Sequence, residues 1–363
     1  MWITSSLAAA KGPAHIALGN FDGVHLGHQQ VMAQILCEPS SGTSTHTSAA
    51  SRPLRLGSSS IQAFHSGILA SGYSFLPNVT EEDIQTQQAH AISLPVGPPL
   101  PASGSYATVV TFSPHPHEYF SGCDRPLLTP VAEKIWQLSQ LGVHQLIMLP
   151  FNQALAELSP QDFVENILID GLQAKRISVG SDFHFGKGRT GNAQNLTEIA
   201  GKHNIPVVQV PLKHEQGERI SSSHIREALT AGKPSVAAKL LGRAYTLTGR
   251  VVEGKQLGRT IGVPTANLHI SVKKYLPRKG VYSVRVYGAD AEPIKGVMNI
   301  GNSPTVEGQT LSVEVHLMNW GGDLYGKVLT VSLEQFIRPE QKFGSLDQLK
   351  SQIEQDCQVA LQS

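Results

Sequence analysis

Two histidines three residues apart, His25 and His28, lie in the stretch IALGNFDGVHLGHQQ, where Gly19, Gly23 and Gly27 punctuate the passage from an apolar run to a helical pattern. That spacing turns both imidazoles to one side of a helix start. Backbone N–H groups at such a start lack intrahelical partners and attract anions, and glycines let a phosphate approach the main chain. Imidazoles donate hydrogen bonds to phosphoryl oxygens without a fixed full charge, which suits a group whose negative charge moves during transfer. The stretch, Phe21 included, reads as a cradle for reacting phosphates. A metal-binding pair and two ordinary helix-terminal histidines are the competing readings; neither explains the glycines, and no third ligand is evident.

Three later loops carry residues of the same kind. TFSPHPHEYF and VGSDFHFGKGRTGN, the latter with Asp182 and Arg189, each follow an apolar run, and ISSSHIREAL sets Ser222 and Ser223 ahead of Arg226. In open parallel sheets ligands bind outside the carboxyl ends of the strands, so these loops are expected to converge with the first. GKGRTG matches the dinucleotide fingerprint, but that fingerprint belongs to a first strand-to-helix unit. Here Lys187 and Arg189 make it a basic loop instead.

The elements that must position these residues follow from periodicity. HIALGNF, ATVVTF, HQLIMLPF, RISVGSDFHF and IPVVQVPL predict buried strands. TPVAEKIWQLSQLG and SPQDFVENILIDGLQ predict helices, with Thr129 and Ser159 as caps before prolines. This alternation predicts an α/β doubly wound parallel sheet. Past about Leu247 only short strands separated by Gly, Pro and Asp turns follow, until a last helix from Ser345. A small antiparallel β-barrel with a C-terminal helix is expected there. The boundary is placed between 244 and 245. Residues 38–105, rich in Ser, Thr, Gly and Pro, are read as a long, poorly ordered low-complexity insertion hanging away from the phosphate loops.

The 363 residues favour two domains. With 29 Lys+Arg against 28 Asp+Glu and a net charge of +1, no basic footprint for nucleic acid is present. Three scattered cysteines form neither a disulfide framework nor a zinc site. No apolar run reaches spanning length and no secretory leader is evident, so a cytoplasmic protein without membrane partners is expected.

GNFDGVHLGH, TFSPHP, VGSDFHFGKGRTGN and ISSSHIR resemble, in order, the adenylyltransferase motifs of the bifunctional bacterial riboflavin kinase/FAD synthetase family. GRTIGVPTANL, GVYSVRV, GVMNIGNSPTV and DLYGKVLTVSLEQFIRPEQKFGSLDQL resemble its kinase motifs. The resemblance spans the chain except the insertion. It implies a kinase at 245–363 that makes FMN from riboflavin and ATP, and an adenylyltransferase at 1–244 that makes FAD and pyrophosphate from FMN and ATP, with Mg²⁺ serving both.

The resemblance also implies roles. Gly254, Gly258 and Gly262 shape the loop around ATP. Thr265 and Asn267, two apart on a strand and so on one side, offer hard oxygens to Mg²⁺ and phosphates. Glu314 is the base for the riboflavin hydroxyl, and Arg338 contacts the flavin. Arg226, Ser222 and Ser223 hold phosphates. His184, Ser223 and Ser303 stand where the family usually has Arg, Thr and a basic residue. One inactive module, adenylylation of another nucleotide, or a flavin-binding protein without catalysis are the alternatives, and retention of both motif sets argues against each.

Overall fold

The computed structural model describes residues 1–36, 92–93, 104–215, 217–254, 262–305 and 308–362. Most of the expected insertion, and Gly258, lie outside them. The chain divides into two compact units, the second of which gathers Pro126–Pro130 and Ser221–Ser363.

The first unit is built on one sheet. Its strands are β1 (Trp2–Thr4), β2 (Ala14–Leu18), β3 (Ile92–Ser93), β4 (Tyr106–Ser113), β5 (Gln145–Pro150) and β6 (Ala174–Gly180). Two short strands, β7 (His184–Phe185) and β8 (Gly191–Asn192), form a separate hairpin before β9 (Val207–Val210) completes the sheet. The order is β3-β1-β5-β4-β2-β6-β9, parallel throughout except for β3. Near-continuous apolar runs such as Val109–Val110 and Leu146–Leu149 are buried, as strands covered on both faces require. The doubly wound reading holds. One difference lies in the inserted segment: Ile92 and Ser93 pair antiparallel with Ile3 and Trp2 and add an edge strand.

Because β4 and β5 lie to one side of β2, and β6 and β9 to the other, the chain order reverses between β2 and β6. That switch point opens a crevice at their carboxyl ends, where ligands bind in such sheets. The turn after β2 leads into the helix Leu26–Leu36, and β6 ends at Gly180, two residues before Asp182. GKGRTG joins β7 to β8 through a single tight turn with Gly186, Gly188 and Arg189 at positive φ. It is therefore not a strand-to-helix dinucleotide turn.

Ser159 caps the following helical segment as expected, its Oγ accepting from the Asp162 amide at 3.1 Å. That segment continues as a π-helical stretch, Phe163–Gly171, burying Phe163, Val164 and Leu168.

After a short hairpin of β10 (His214–Glu215) and β11 (Glu218–Arg219), the second unit begins with the helices Ser222–Thr230 and Pro234–Leu241. Its closed antiparallel barrel comprises β12 (Thr246–Val252), β13 (Ala266–Ile270), β14 (Gly280–Tyr287), β15 (Ile294–Thr305), β16 (Gly308–Leu317) and β17 (Val328–Arg338), ordered β12-β13-β16-β15-β14-β17. Alternation in β12 buries Leu247, Gly249 and Val251 and leaves Thr246, Thr248 and Arg250 half-buried and Val252 exposed, the period-two pattern of a barrel wall. The helix Leu346–Gln362 closes over Val281, Val297 and Met318 with Ala360.

Candidate functional site

The turn after β2 is held from several directions. Phe21 and Val24 adopt positive φ (50° and 44°) with side chains fully buried, and Gly23 lies at 87°. The strained backbone conformation of Val24 persists because its surroundings fix it. The Asn20 carbonyl accepts from the hydroxyl of Thr111 and from the buried ammonium of Lys134, both at 3.1 Å. The Gln29 side chain donates to the Val24 carbonyl at 3.0 Å. A methyl at Gly27 would press against the His25 ring at 3.2 Å, so the ring would have to give by a few tenths of an ångström.

His25 Nδ1 accepts from the His28 amide at 3.2 Å, capping the helix with an imidazole and leaving the ring proton on Nε2. The two imidazoles stack with centroids 3.5 Å apart, and the edge of Phe21 meets His28 at 5.2 Å. Burial, then the nearby His25 and Lys134, hold the pKa of His28 well below the usual imidazole value. Among the described residues His28 Nδ1 is buried without a hydrogen-bond partner, an arrangement that a ligand oxygen would complete.

His115, at the end of TFSPHP, caps the helix Pro116–Ser121 reciprocally with Glu118. Burial and then Arg125 lower its pKa to about 4, against the opposing pull of Glu118 and Asp22. A second group of side chains in this unit is aromatic. Phe151 meets Phe112, Tyr119 and Phe120 edge to face at 5.3–5.8 Å, and Phe120 is 71% exposed. Phe112 and Phe151 sit at the carboxyl ends of β4 and β5, so the group offers ring faces for a flat apolar ligand beside the sheet's ligand-binding edge.

His115, Lys134 and these rings were not among the residues selected from sequence. His115 stood inside a noted loop, whereas a lysine in an amphipathic helix carries no signal of burial.

Asp182 pairs with Arg219, and its backbone carbonyl lies 2.9 Å from His184 Nδ1. Arg189 is exposed on its turn. Ser222, Ser223 and Arg226 belong to one helix of the second unit, where Ser221 rather than its neighbours is the cap, accepting from the His224 amide at 3.2 Å.

On the barrel, strand register brings the selected residues into one row. Asn267 lies opposite Glu314, and Glu314 opposite Asn299, so the three share a face across β13, β16 and β15. Thr265, two residues before Asn267, continues that face at the strand's start. His316 Nδ1 lies 2.8 Å from the Pro264 carbonyl. A methyl at Gly254 would overlap the Asn267 amide, so the backbone of the β12–β13 connection approaches this row closely. Gly262, at φ 79°, ends the connection, with residues 255–261 outside those described. The hydroxyl, amide and carboxylate oxygens of this row are the donors that a hard divalent cation takes. Among the described residues no group of three or more His, Cys, Asp or Glu side chains could hold a metal, so the protein's share of a cation site here would come from this row's few oxygens beside substrate phosphates.

Arg338 is elsewhere engaged. Its Nε and Nη2 donate to both oxygens of Asp356 at 2.8–3.1 Å, and Nη1 donates to the Pro339 carbonyl at 3.2 Å. Asp356, 2% exposed, also accepts from Gln352. Arg338 thus anchors the C-terminal helix to the barrel.

Comparison with known proteins matches the FAD synthetase family over residues 7–46 and 101–224 and the riboflavin kinase family over 241–363. The bifunctional riboflavin kinase/FMN adenylyltransferase of Haemophilus influenzae is 34% identical over 346 residues, covering 95% of this chain and 92% of that one. The chain belongs to the bifunctional riboflavin kinase/FMN adenylyltransferase family. Other members include the Escherichia coli K12 protein, 41% identical over 249 residues (68% of this chain, 79% of that one), and the Bacillus subtilis protein, 32% identical over 352 residues (95% and 91%). A crystal structure described as a macrolide-efflux protein from Streptococcus pneumoniae superposes with a TM-score of 0.72 at 26% identity, covering 99% of this chain and 97% of that one. Among the described residues no helix is long and apolar enough to cross a membrane. Both enzymatic activities of the family, with ATP as co-substrate, follow for this chain from its two matched halves.

Proposed function

We propose that the chain converts riboflavin to FAD in two steps at two separate sites, residues 245–363 serving the kinase reaction and residues 1–244 the adenylyl transfer. The observation that carries this division is that each matched half holds its own phosphate-handling constellation: the stacked His25–His28 pair in one, the Thr265–Asn267–Glu314 row in the other.

In the kinase step the Glu314 carboxylate takes the proton of the riboflavin 5′-hydroxyl. The resulting oxygen attacks the γ-phosphorus of ATP, the bond to the β-phosphate oxygen breaks, and ADP leaves. Thr265 and Asn267 would hold Mg²⁺, whose charge offsets that on the phosphate oxygens. Gly254, Gly258 and Gly262 let the backbone follow the triphosphate, and Arg338 contacts the flavin beside its anchor on Asp356.

In the adenylyl step a phosphate oxygen of FMN attacks the α-phosphorus of ATP and pyrophosphate leaves. His28, neutral in the free protein, meets the phosphoryl oxygens at the ring atom left without a partner, while His25 keeps the helix start in register. Arriving phosphate charge favours protonated imidazole, so donation strengthens as charge builds on the leaving group. Gly19, Phe21, Gly23 and Gly27 shape the turn. Asp182, Arg189, Ser222, Ser223 and Arg226 contribute the remaining nucleotide contacts, and the Phe112–Tyr119–Phe120–Phe151 rings receive the isoalloxazine. Positioning and charge stabilisation account for most of the catalysis. We place the protein in the cytoplasm, with riboflavin, FMN, FAD and ATP as its partners and neither nucleic acid nor membrane among them.

Chromatography of riboflavin, FMN and FAD after incubation with ATP and Mg²⁺ tests this reading. His28→Ala should leave FMN formation intact and lower FAD formation by roughly a hundredfold, the scale for one lost charge-stabilising donor. Glu314→Gln should stop FMN formation, yet FAD should still form from supplied FMN. Equal loss of both reactions in either folded variant would refute two independent sites.

A further inference from the structure

We propose that Tyr275, on the connection from β13 to β14, is a positioning residue for Arg226, so that adenylyl transfer depends on a side chain of the barrel connection that takes no part in kinase chemistry. The inference rests on the reading above that Arg226 holds substrate phosphate.

The guanidinium of Arg226 lies over the Tyr275 ring, its Cζ 5.5 Å from the centroid, while Nη2 donates to the Pro126 carbonyl at 3.0 Å. Its Nη1 also donates to the Ser222 carbonyl at 3.4 Å, so the guanidinium is held on an aromatic face and by carbonyls at its edge and keeps few orientations in which to meet an anion. The hydroxyl of Tyr275 is itself fixed. It shares a 2.6 Å hydrogen bond with Thr230 Oγ1, and the Thr230 hydroxyl donates to the Arg226 carbonyl at 2.8 Å. Ring and guanidinium are therefore tied together twice, through the face and through one turn of the helix that carries Arg226.

The backbone of Tyr275 is pinned as firmly. Its amide donates to the Leu127 carbonyl at 2.8 Å, and its carbonyl accepts from the Tyr245 hydroxyl at 2.6 Å. Next to it the buried Lys274 ammonium donates to the Leu128 carbonyl at 2.8 Å and lies 4.4 Å from the Tyr245 ring centroid. The short segment Pro126–Leu128 thus receives hydrogen bonds from Arg226, Lys274 and Tyr275 together. Residues 271–279 lie between strands, and a bridge between Leu127 and Lys274 holds this connection against Pro126–Leu128. That anchorage fixes the ring against which Arg226 lies.

The test follows FMN adenylylation and riboflavin phosphorylation side by side in the full chain. Tyr275→Leu should raise the KM for ATP in adenylylation about tenfold with kinase activity unchanged, and Tyr275→Phe, which keeps the ring, should recover most of that loss. Arg226→Ala should lower adenylylation by about a hundredfold, and adding Tyr275→Leu to it should lower it no further. If Arg226→Ala leaves adenylylation intact, the phosphate role of Arg226 is wrong and the inference falls with it. If Arg226→Ala is impaired but Tyr275→Leu costs the same tenfold with or without Arg226, or lowers both activities together, Tyr275 does not act through Arg226.

Discussion

The imidazole of His28 lies flat against that of His25, with centroids 3.5 Å apart and planes within 15°. Burial is the main force against charge on His28, and a second ring so close adds to it. The free protein therefore keeps His28 neutral at neutral pH, in a site where a phosphate would later favour the charged form.

The pH dependence follows in sign. His28 and His115 both have folded pKa values below the usual imidazole value of 6.5, His115 at about 4. Below pH 6.5 the unfolded chain binds protons that the native state refuses, so this contribution is complete above pH 6.5 and is lost as pH falls. Thermal midpoints measured from pH 7 to pH 4 should drop on acidification, and less steeply in His115→Asn. NMR of the His28 ring should show a neutral imidazole at pH 6 without ATP.

The β12–β13 connection yields a second expectation. A methyl at Gly254 has no room beside the Asn267 amide, which must shift. Displacement of a positioning group by about 1 Å costs on the order of a hundredfold in rate. Gly254→Ala should lower riboflavin phosphorylation by 10- to 100-fold (roughly), leave adenylylation of supplied FMN unaffected, and barely move the thermal midpoint. Unchanged kinase turnover would separate Asn267 from the reaction.

Much of this arrangement was legible in the sequence because it depends on local pattern. Apolar runs marked β2, β4, β5 and β6, Ser159 before a proline marked its helix, and the spacing of Thr265 and Asn267 fixed their common side, which Glu314 joins only through the register of β13 with β16. What escaped depends on tertiary context. Two residues, Ile92 and Ser93, are too few to carry a period, so their edge strand was invisible. The burial of Lys134 comes from the Asn20 carbonyl, far away in sequence. Arg338 carried no sign that Asp356, eighteen residues later, would take two of its nitrogens.

That ion pair can be separated from flavin contact. Removing Arg338 alone strands a buried carboxylate, so Arg338→Met should destabilise the protein by about 3–5 kcal/mol. Replacing both partners, Arg338→Met with Asp356→Leu, should recover most of that loss. The double variant should still show a KM for riboflavin raised about tenfold. A stable double variant with unchanged KM would leave Arg338 as a helix anchor and nothing more.

The last expectation concerns where the kinase half can be cut. Pattern alone put the boundary before Tyr245, yet the helices Ser222–Thr230 and Pro234–Leu241 group with the barrel. Their buried Leu229, Ala237, Leu240 and Leu241 are accompanied by a specific backbone tie: the Arg278 amide donates to the Leu229 carbonyl at 3.0 Å. Gly232, at φ 70°, brings the turn between the helices against Arg278 and Phe336, where a Cβ would meet both at 3.2–3.3 Å. Each large aliphatic side chain exposed by the shorter cut costs about 1.5–3 kcal/mol of burial. A fragment of residues 221–363 should therefore fold and phosphorylate riboflavin, while residues 245–363, stripped of both helices, should melt at least 10 °C lower or aggregate, by roughly the scale on which a few kcal/mol moves the midpoint of a domain this size. Calorimetry and FMN formation on the two fragments decide it, and equal midpoints would mean that the helices contribute nothing to the barrel's stability.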